Sequence, residues 1–373
     1  MLFRMGSLRV GVRVQSELGW LVLDELSAGL APATGSPNLV LNFVETLPDR
    51  HGQLNGNVLL SNGEVRLTYR DLICDVRQAD GPLELHIASA SQAGRSAFQE
   101  TIARCRHPAH LSPAEALAKC FVSEIFTWAS QISQTNRGQS YIHAATMRRG
   151  DATLAVMGWR GIGKTTTQMA LCGGDGWEYI SDDLAIVDRC GRLFRSPQKV
   201  QLFGFNLSAN PTIKRRAFAK RGIFDRLSAL QKERRFGAAH VRRHVAAEDL
   251  FSAMSPTESA CLTDILYIER STRERHSWSA MDFAELARRM AIITVTEMGP
   301  YQYFHQQAAI AGGRLLKSPA ELENEARDVL SSAFAGRRVA VLYLPRDIRY
   351  PEIVEAVRQF TERPTLKLCG SHR

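Results

Sequence analysis

No apolar run in this chain approaches the ~20 residues that a membrane-spanning helix needs. Met1-Leu2-Phe3-Arg4-Met5-Gly6 also has no apolar core of a signal peptide. Both absences lead to the expectation of a cytoplasmic protein with no membrane partner. Cysteine is sparse and scattered: seven residues, at 74, 105, 120, 172, 190, 261 and 369, odd in number and without a C-x-x-C pair. That pattern argues against a disulfide framework and a structural zinc site, and leaves reduced, mostly buried thiols. His51, His86, His107 and His110 do not recur at metal-ligand spacing either. Nothing in the composition suggests disorder. Of the 373 residues, 45% are hydrophobic, enough to fill ordinary cores, and the length suits two domains.

Acidic residues are scarce in one stretch. Between Lys214 and Arg243 lie eleven Lys/Arg against Asp225 and Glu233. The rest of the chain then holds 36 basic and 36 acidic residues, so the whole formal charge of +9 sits in this stretch. A concentrated patch implies an anionic partner more than a generally basic protein does. Phe218, Ile223, Phe224, Leu227 and Leu230 have spacings compatible with helical packing, so an amphipathic helix with a solvated cationic face is the plainer reading. A lid or docking arm for an acidic peptide, an acidic protein or nucleic acid is the sharper one. Nucleic acid is not favoured, because the interleaved stacking aromatics of a single-strand reader are missing.

Taken in order, residues 1–112 read as a small N-terminal α+β domain. Strands are expected at Val10–Val14, Gly56–Leu60, Glu64–Tyr69 and Leu83–Ile87, a hairpin turn at Ser61-Asn62-Gly63, and a helix within 16–30. Ser112-Pro113-Ala114-Glu115 is a helix start with a capping box and proline at the first position, so 113–137 reads as a bridging helix and linker. Residues 138–373 form the second domain, with a core strand pair around Ile142 and Leu154 joined at Arg148–Asp151. Further strands are expected at 262–270, 291–295 and 338–344, and helices near 282–290, 318–334 and 351–361. Alternating strands and helices give a layered α/β architecture with a mixed sheet.

The chemistry concentrates between Leu154 and Asp188. Gly158-Trp159-Arg160-Gly161-Ile162-Gly163-Lys164-Thr165 satisfies the phosphate-loop pattern G-x-x-x-x-G-K-[ST] at every fixed position. A short apolar run precedes it, and Thr166 onward can continue as a helix. Glycines let the backbone bend so that successive N–H groups and the helix N-terminus converge on phosphate oxygens. Residues 158–166, from Gly158 to Thr166, are thus the candidate nucleotide-binding set. Lys164 adds a charge at the β/γ-phosphates and Thr165 a hydroxyl for Mg²⁺. A few residues on, the hydrophobic run ending in Asp182-Asp183 supplies paired carboxylates, one able to coordinate Mg²⁺ and the other to take a hydroxyl proton. A turn-forming acidic pair is the alternative when such residues stand alone. His143 is open between a site role and a buried histidine capping a strand. Arg346 and Arg349, just past the last strand, are read first as surface residues.

Tyr141-Ile142-His143-Ala144-Ala145, Leu154 to Thr165 and Ile180-Ser181-Asp182-Asp183 together resemble the core of the HPr serine kinase/phosphorylase family, whose nucleotide fold is shared with phosphoenolpyruvate carboxykinase. The resemblance covers roughly residues 138–205. It implies catalytic roles for His143, Lys164 and Asp182, with Asp182 the acid/base group facing the acceptor, and Thr165 and Asp183 as the metal donors. It implies ATP, or alternatively GTP, with Mg²⁺, and a homo-oligomer. Arg160 stands where the family usually has serine, and no segment after Asp188 matches the family's glutamate and I-R-G stretch. Those departures set HPr itself and phosphorylase chemistry apart. The expected activity is therefore ATP-dependent transfer of the γ-phosphoryl to a hydroxyl, most plausibly serine of a protein or of a peptide such as a ribosomally made one. The alternatives are a kinase for a small-molecule hydroxyl and a nucleotide-hydrolysing switch.

Overall fold

The computed structural model describes residues 1–26, 30–61, 64–78, 81–90, 112–219, 223–238, 241–253 and 259–362. Asn62 and Gly63 of the expected hairpin turn, Cys105, Cys369, His107 and His110 lie outside the described residues. The chain divides into two compact units. The first holds Met1–Gln139 and Val295–Ala326, and the second Ser140–Thr294 and the residues from Arg327 on.

The first unit is built on a nine-stranded sheet in which Leu8–Val14, Leu39–Phe43 and Leu83–Ser89 run parallel at the centre. The expected strand at 64–69 pairs antiparallel with Val58–Ser61, Ser61 opposite Glu64. Helix Pro113–Phe121 starts with the expected reciprocal cap: Glu115 N–H donates to Ser112 Oγ (3.1 Å), and Ser112 N–H to Glu115 Oε2 (2.7 Å). The helical run continues through a widened turn at Val122–Phe126, where the Thr127 hydroxyl donates to Val122 O five residues back, and ends at Thr135.

A division at residues 112 and 137 does not describe these units. Helices 113–135 belong to the first unit rather than linking two, and residues 295–326 return to it from far along the chain. Aromatic packing and partly buried hydrogen bonds hold that return in place. Tyr301 lies 5.0 Å from Trp128 between ring centroids, and Phe304 meets Tyr69 edge-on at 5.6 Å. Asn57 N–H donates to Gln307 Oε1 (2.9 Å) and Asn55 Nδ2 to Gln307 O (3.0 Å).

The second unit is mixed α/β: several mixed sheets flanked by helices. Its principal sheet has six strands in the order Glu178–Ser181, Ala144–Arg149, Ala152–Gly158, Asp264–Ser271, Arg338–Pro345 and Ser277–Ala280. The central three run parallel, and Val156, Leu266 and Leu342 on them are fully buried, as strands covered on both faces require. Leu154 does pair across a tight turn, but with Met147. The partner strand is Ala144–Arg149, whereas Ile142 belongs to a different, four-stranded sheet beside Ala185–Asp188. The expected strand at Ala291–Val295 is instead the end of helix Phe283–Thr296. Its β-branched residues suggested a strand, yet Leu286, Ala287, Met290, Ala291 and Thr294 are buried at helical spacing, and burial of that stripe outweighs local propensity.

The basic stretch forms helices Pro211–Ala217 and Ile223–Phe236 and strand Arg242–Val245, which pairs antiparallel with Val200–Phe203. Cys74, Cys120 and Cys172 are buried free thiols, while Cys190 and Cys261 are exposed. Among the described residues no helix is long and apolar enough to cross a membrane.

Candidate active site

The glycine-rich loop leaves the carboxyl end of the strand Ala152–Gly158 and enters helix Lys164–Gly174, at the edge of three parallel strands where ligand sites of α/β sheets gather. Two of its glycines are required by geometry. Gly158 has φ +142°, and a Cβ there would stand 2.5 Å from the carbonyl oxygen of Ile268 on the neighbouring strand. Gly163 caps the helix at φ +104°, and a Cβ there would press on Ile353 (3.2 Å) and approach the ring of Tyr350 (3.8 Å). Non-glycine residues rarely adopt either conformation.

Lys164 is buried, 6% exposed, and its ammonium curls back over the loop, donating to Gly158 O (2.9 Å) and Trp159 O (3.0 Å). A cation is therefore held in the concavity rather than extended to solvent. Trp159, Arg160 and Gly161 are exposed, while Ile162 is buried and anchors the loop to the core. The Thr166 hydroxyl accepts from Asn206 Nδ2 at 2.7 Å, which ties helix Lys164–Gly174 to helix Gly204–Ala209.

Opposite the loop, strand Glu178–Ser181 delivers Asp182 and Asp183. The Thr165 hydroxyl donates to Asp182, 3.0 Å from Oδ1 and 3.2 Å from Oδ2. Leu184 N–H donates to Asp182 O (2.7 Å), closing a three-residue turn with Asp183 at its centre at φ +63°. Such a turn is rare for a residue with a side chain, and backbone strain of this kind gathers at functional sites. The two carboxylates have different neighbours. Asp182 is buried against Thr165, whereas Asp183 is half exposed, with Oδ1 3.4 Å from Nδ1 of the buried His143.

Electrostatics separates the pair further. Burial, then the adjacent Asp183, pushes the Asp182 carboxyl up to about 7, against the pull of the Thr165 hydrogen bond and Lys164. Asp183 is also raised by desolvation, with Lys164, Arg160 and His244 opposing the shift. Arg160 and Lys164 thus act as nearby positive charge on one half-open carboxylate.

Residues not flagged by motif hold this wall in place. The strands Ala144–Arg149 and Glu178–Ser181 slip register between Thr146 and Met147, and a side chain ties together a carbonyl from each strand at that point. Gln168 Nε2 donates to both, Thr146 O at 2.9 Å and Ser181 O at 2.8 Å. Ser181 O also accepts from Thr146 Oγ1 (3.1 Å). Gln168 is fully buried at the fifth position of its helix, beside the buried Thr166 and Thr167, and no local pattern in the sequence singles it out. Tyr350, against the loop, stacks on Phe205 at 5.7 Å, and Phe205 on Phe203 at 5.3 Å. Arg349, as expected of a surface residue, pairs with Glu352.

The structure brings His143, the loop residues 158–166, Asp182 and Asp183 into one neighbourhood, and its contacts put Asp182 rather than Asp183 beside Thr165. A carboxylate bonded to a threonine hydroxyl and a caged lysine beside a glycine-rich turn can together bind a phosphate chain, and the half-exposed carboxylate can accept a proton. Neither a protein-family model nor a curated protein matches this chain.

Proposed function

We propose that the protein is an ATP-dependent phosphotransferase of the HPr serine kinase-like kind that moves the γ-phosphoryl group to a hydroxyl, serine of a peptide or protein being the acceptor. The observation that carries this reading is the Thr165–Asp182 hydrogen bond at the mouth of the glycine-rich loop, with Lys164 caged beside it. Among the described residues no three His, Cys, Asp or Glu gather into a metal site. The donors that the Thr165–Asp182 contact offers are one hydroxyl and one carboxylate. That set suits Mg²⁺, which takes one or two protein oxygens and completes its octahedron with water and phosphate oxygens.

Thr165 and Asp182 would hold Mg²⁺, which neutralises charge on the β- and γ-phosphates. Loop amides and Lys164 bind and orient the same oxygens. Asp183, half exposed and with a raised pKa, takes the proton of the acceptor hydroxyl as its oxygen bonds to the γ-phosphorus and the bond to the β-phosphate oxygen breaks, leaving ADP. His143 orients the Asp183 carboxylate. This exchanges the roles that the family resemblance assigns to the two aspartates, and the reason is that the metal-side hydroxyl contacts Asp182.

The test is [γ-³²P]ATP with the full chain and serine-containing peptides, beside calorimetry of the Asp182→Asn and Asp183→Asn variants. Asp183→Asn is expected to keep Mg·ATP binding and lose transfer by roughly 10²-fold or more. Asp182→Asn is expected to weaken metal-dependent binding itself. The reverse pattern would restore the first assignment of roles, and no heat from either Mg·ATP or Mg·GTP would end the phosphotransferase reading.

A further inference from the structure

The basic stretch encloses an apolar cavity. A space of about 340 Å³ opens between helices Pro211–Ala217 and Ile223–Phe236, walled by Leu207, Phe218, Ala229, Leu230 and Val241. Its volume lies at the lower end of that of pockets that hold a ligand. The rim carries Lys214, Arg215 and Arg226 against one acid, Glu233, whose carboxylate accepts from the Ser208 hydroxyl at 3.4 Å. Apolar surface continues outside the cavity. Leu227, 56% exposed, lies one helical turn from the cavity residue Leu230, itself 46% exposed. A helix that only presented a wet cationic face would bury its leucines.

This cleft is fixed to the glycine-rich loop rather than hung on a free arm. Asn206, next to Leu207, donates to Thr166 Oγ1 (2.7 Å), and Asn210, which caps helix Pro211–Ala217, donates from Nδ2 to Met169 O (3.3 Å). Gly204 N–H donates to Val241 O (3.0 Å), closing the far wall. Whatever binds here is held at a set distance from Thr165 and Asp182.

We propose that this cleft docks an acidic peptide segment with an apolar anchor side chain, the segment that presents the acceptor hydroxyl. The proposal rests on the phosphotransferase reading for what the segment presents, but not for its binding. Cation excess accounts for the acidic character, since the stretch concentrates the entire formal charge of the protein. The apolar cavity accounts for the anchor, since an anion alone leaves its walls uncovered. Nucleic acid fits less well: among the described residues Phe218 is the one aromatic lining the cavity, and the Arg243 guanidinium stands over its ring at 5.8 Å.

The test is fluorescence anisotropy of a labelled Glu/Asp-rich peptide with one central leucine and one serine, on the full chain. A peptide with that leucine replaced by serine, and a single-stranded oligonucleotide, are the comparators. Binding is expected to weaken about tenfold or more in the Lys214→Glu/Arg215→Glu variant, in Leu230→Asp, with the leucine-free peptide, and on raising salt from low to physiological strength. Leu230 is exposed enough for that substitution, and circular dichroism checks the fold. The Lys164→Ala variant is expected to bind the peptide as the parent does. Equal binding of both peptides, indifference to the charge reversal, or tighter binding of the oligonucleotide would overturn the proposal. Peptide binding without label transfer would leave docking standing and remove the phosphotransferase, whereas transfer to a peptide that ignores the cleft would do the opposite.

Discussion

Asp182 makes the protein unstable in a pH-dependent way that can be measured without substrate. Its carboxyl is 6% exposed and is held near 7 by burial and by the charge of Asp183. In the unfolded chain an aspartate titrates at about 4. Between those values the folded protein keeps a proton that the unfolded chain releases. Stability from this group is therefore complete below about pH 4, declines as pH rises, and levels off above about 7. At ~1.4 kcal/mol per pH unit the full interval is worth about 4 kcal/mol, of which about 3 kcal/mol accrues between pH 5 and 8. Asp182→Asn cannot ionise, so its stability relative to the parent is expected to rise by about that amount across the same range. Native-state amide exchange of Ala155 and Val156, in the strand that leads into the glycine-rich loop, compared between the two proteins at each pH without metal or nucleotide, isolates the second unit. Metal binding demands the ionised carboxylate, so Mg·ATP affinity of the parent is expected to fall about tenfold per pH unit below 7 and to plateau above it. A variant-to-parent difference that stays flat from pH 5 to 8 would refute the buried, charge-coupled account of this residue.

Lys164→Ala removes the caged ammonium and is expected to lower nucleotide-dependent turnover by roughly 10²-fold or more, and unchanged turnover would remove the loop from the site. Gly158→Ala places a methyl group 2.5 Å from the Ile268 carbonyl at φ +142°. A loss of about 1–3 kcal/mol is expected from the backbone alone, read as a lowered melting temperature together with weaker nucleotide binding, and an unshifted melt would contradict the geometry. Gln168→Leu leaves the Thr146 carbonyl without its side-chain donor and halves the service to Ser181 O, for an expected cost of ~1–3 kcal/mol in denaturant unfolding. Transfer should fall more than this fold loss predicts if Gln168 aims Asp182, and wild-type transfer rates would deny it that role.

The loop, the aspartate pair and most strands were legible in the chain because each has a local signature. Glycine spacing, a charged pair closing an apolar run, alternation around Leu67 and the continuous apolar run around Leu266 require no knowledge of partners. The capping box at Ser112 likewise lies within four residues. What escaped depends on distant neighbours. The run Ile292 to Val295 has strand propensity, and only the stripe starting at Leu286 shows that a helix buries it. Ile142 and Ala144 stand two residues apart and join different sheets, a parting at His143 that no pattern announces. The different surroundings of Asp182 and Asp183 go with a backbone φ of +63° at Asp183, and adjacent identical residues carry no signal of it. Gln168 sits where two strands slip register, which is a property of their pairing alone.

The return of residues 295–326 to the first unit sets an order on synthesis. When the ribosome has made residue 139, Trp128, Tyr69 and the Asn55–Asn57 turn still wait for Tyr301, Phe304 and Gln307, more than 150 positions later. The N-terminal sheet is then an unfinished template, open to holding chaperones, until residues 295–326 emerge, and the second unit waits longer still, because its inner strand Arg338–Pro345 follows that segment. A shortened N-terminal fragment should on this account be prone to clump, and supplying the 295–326 segment in trans should rescue it.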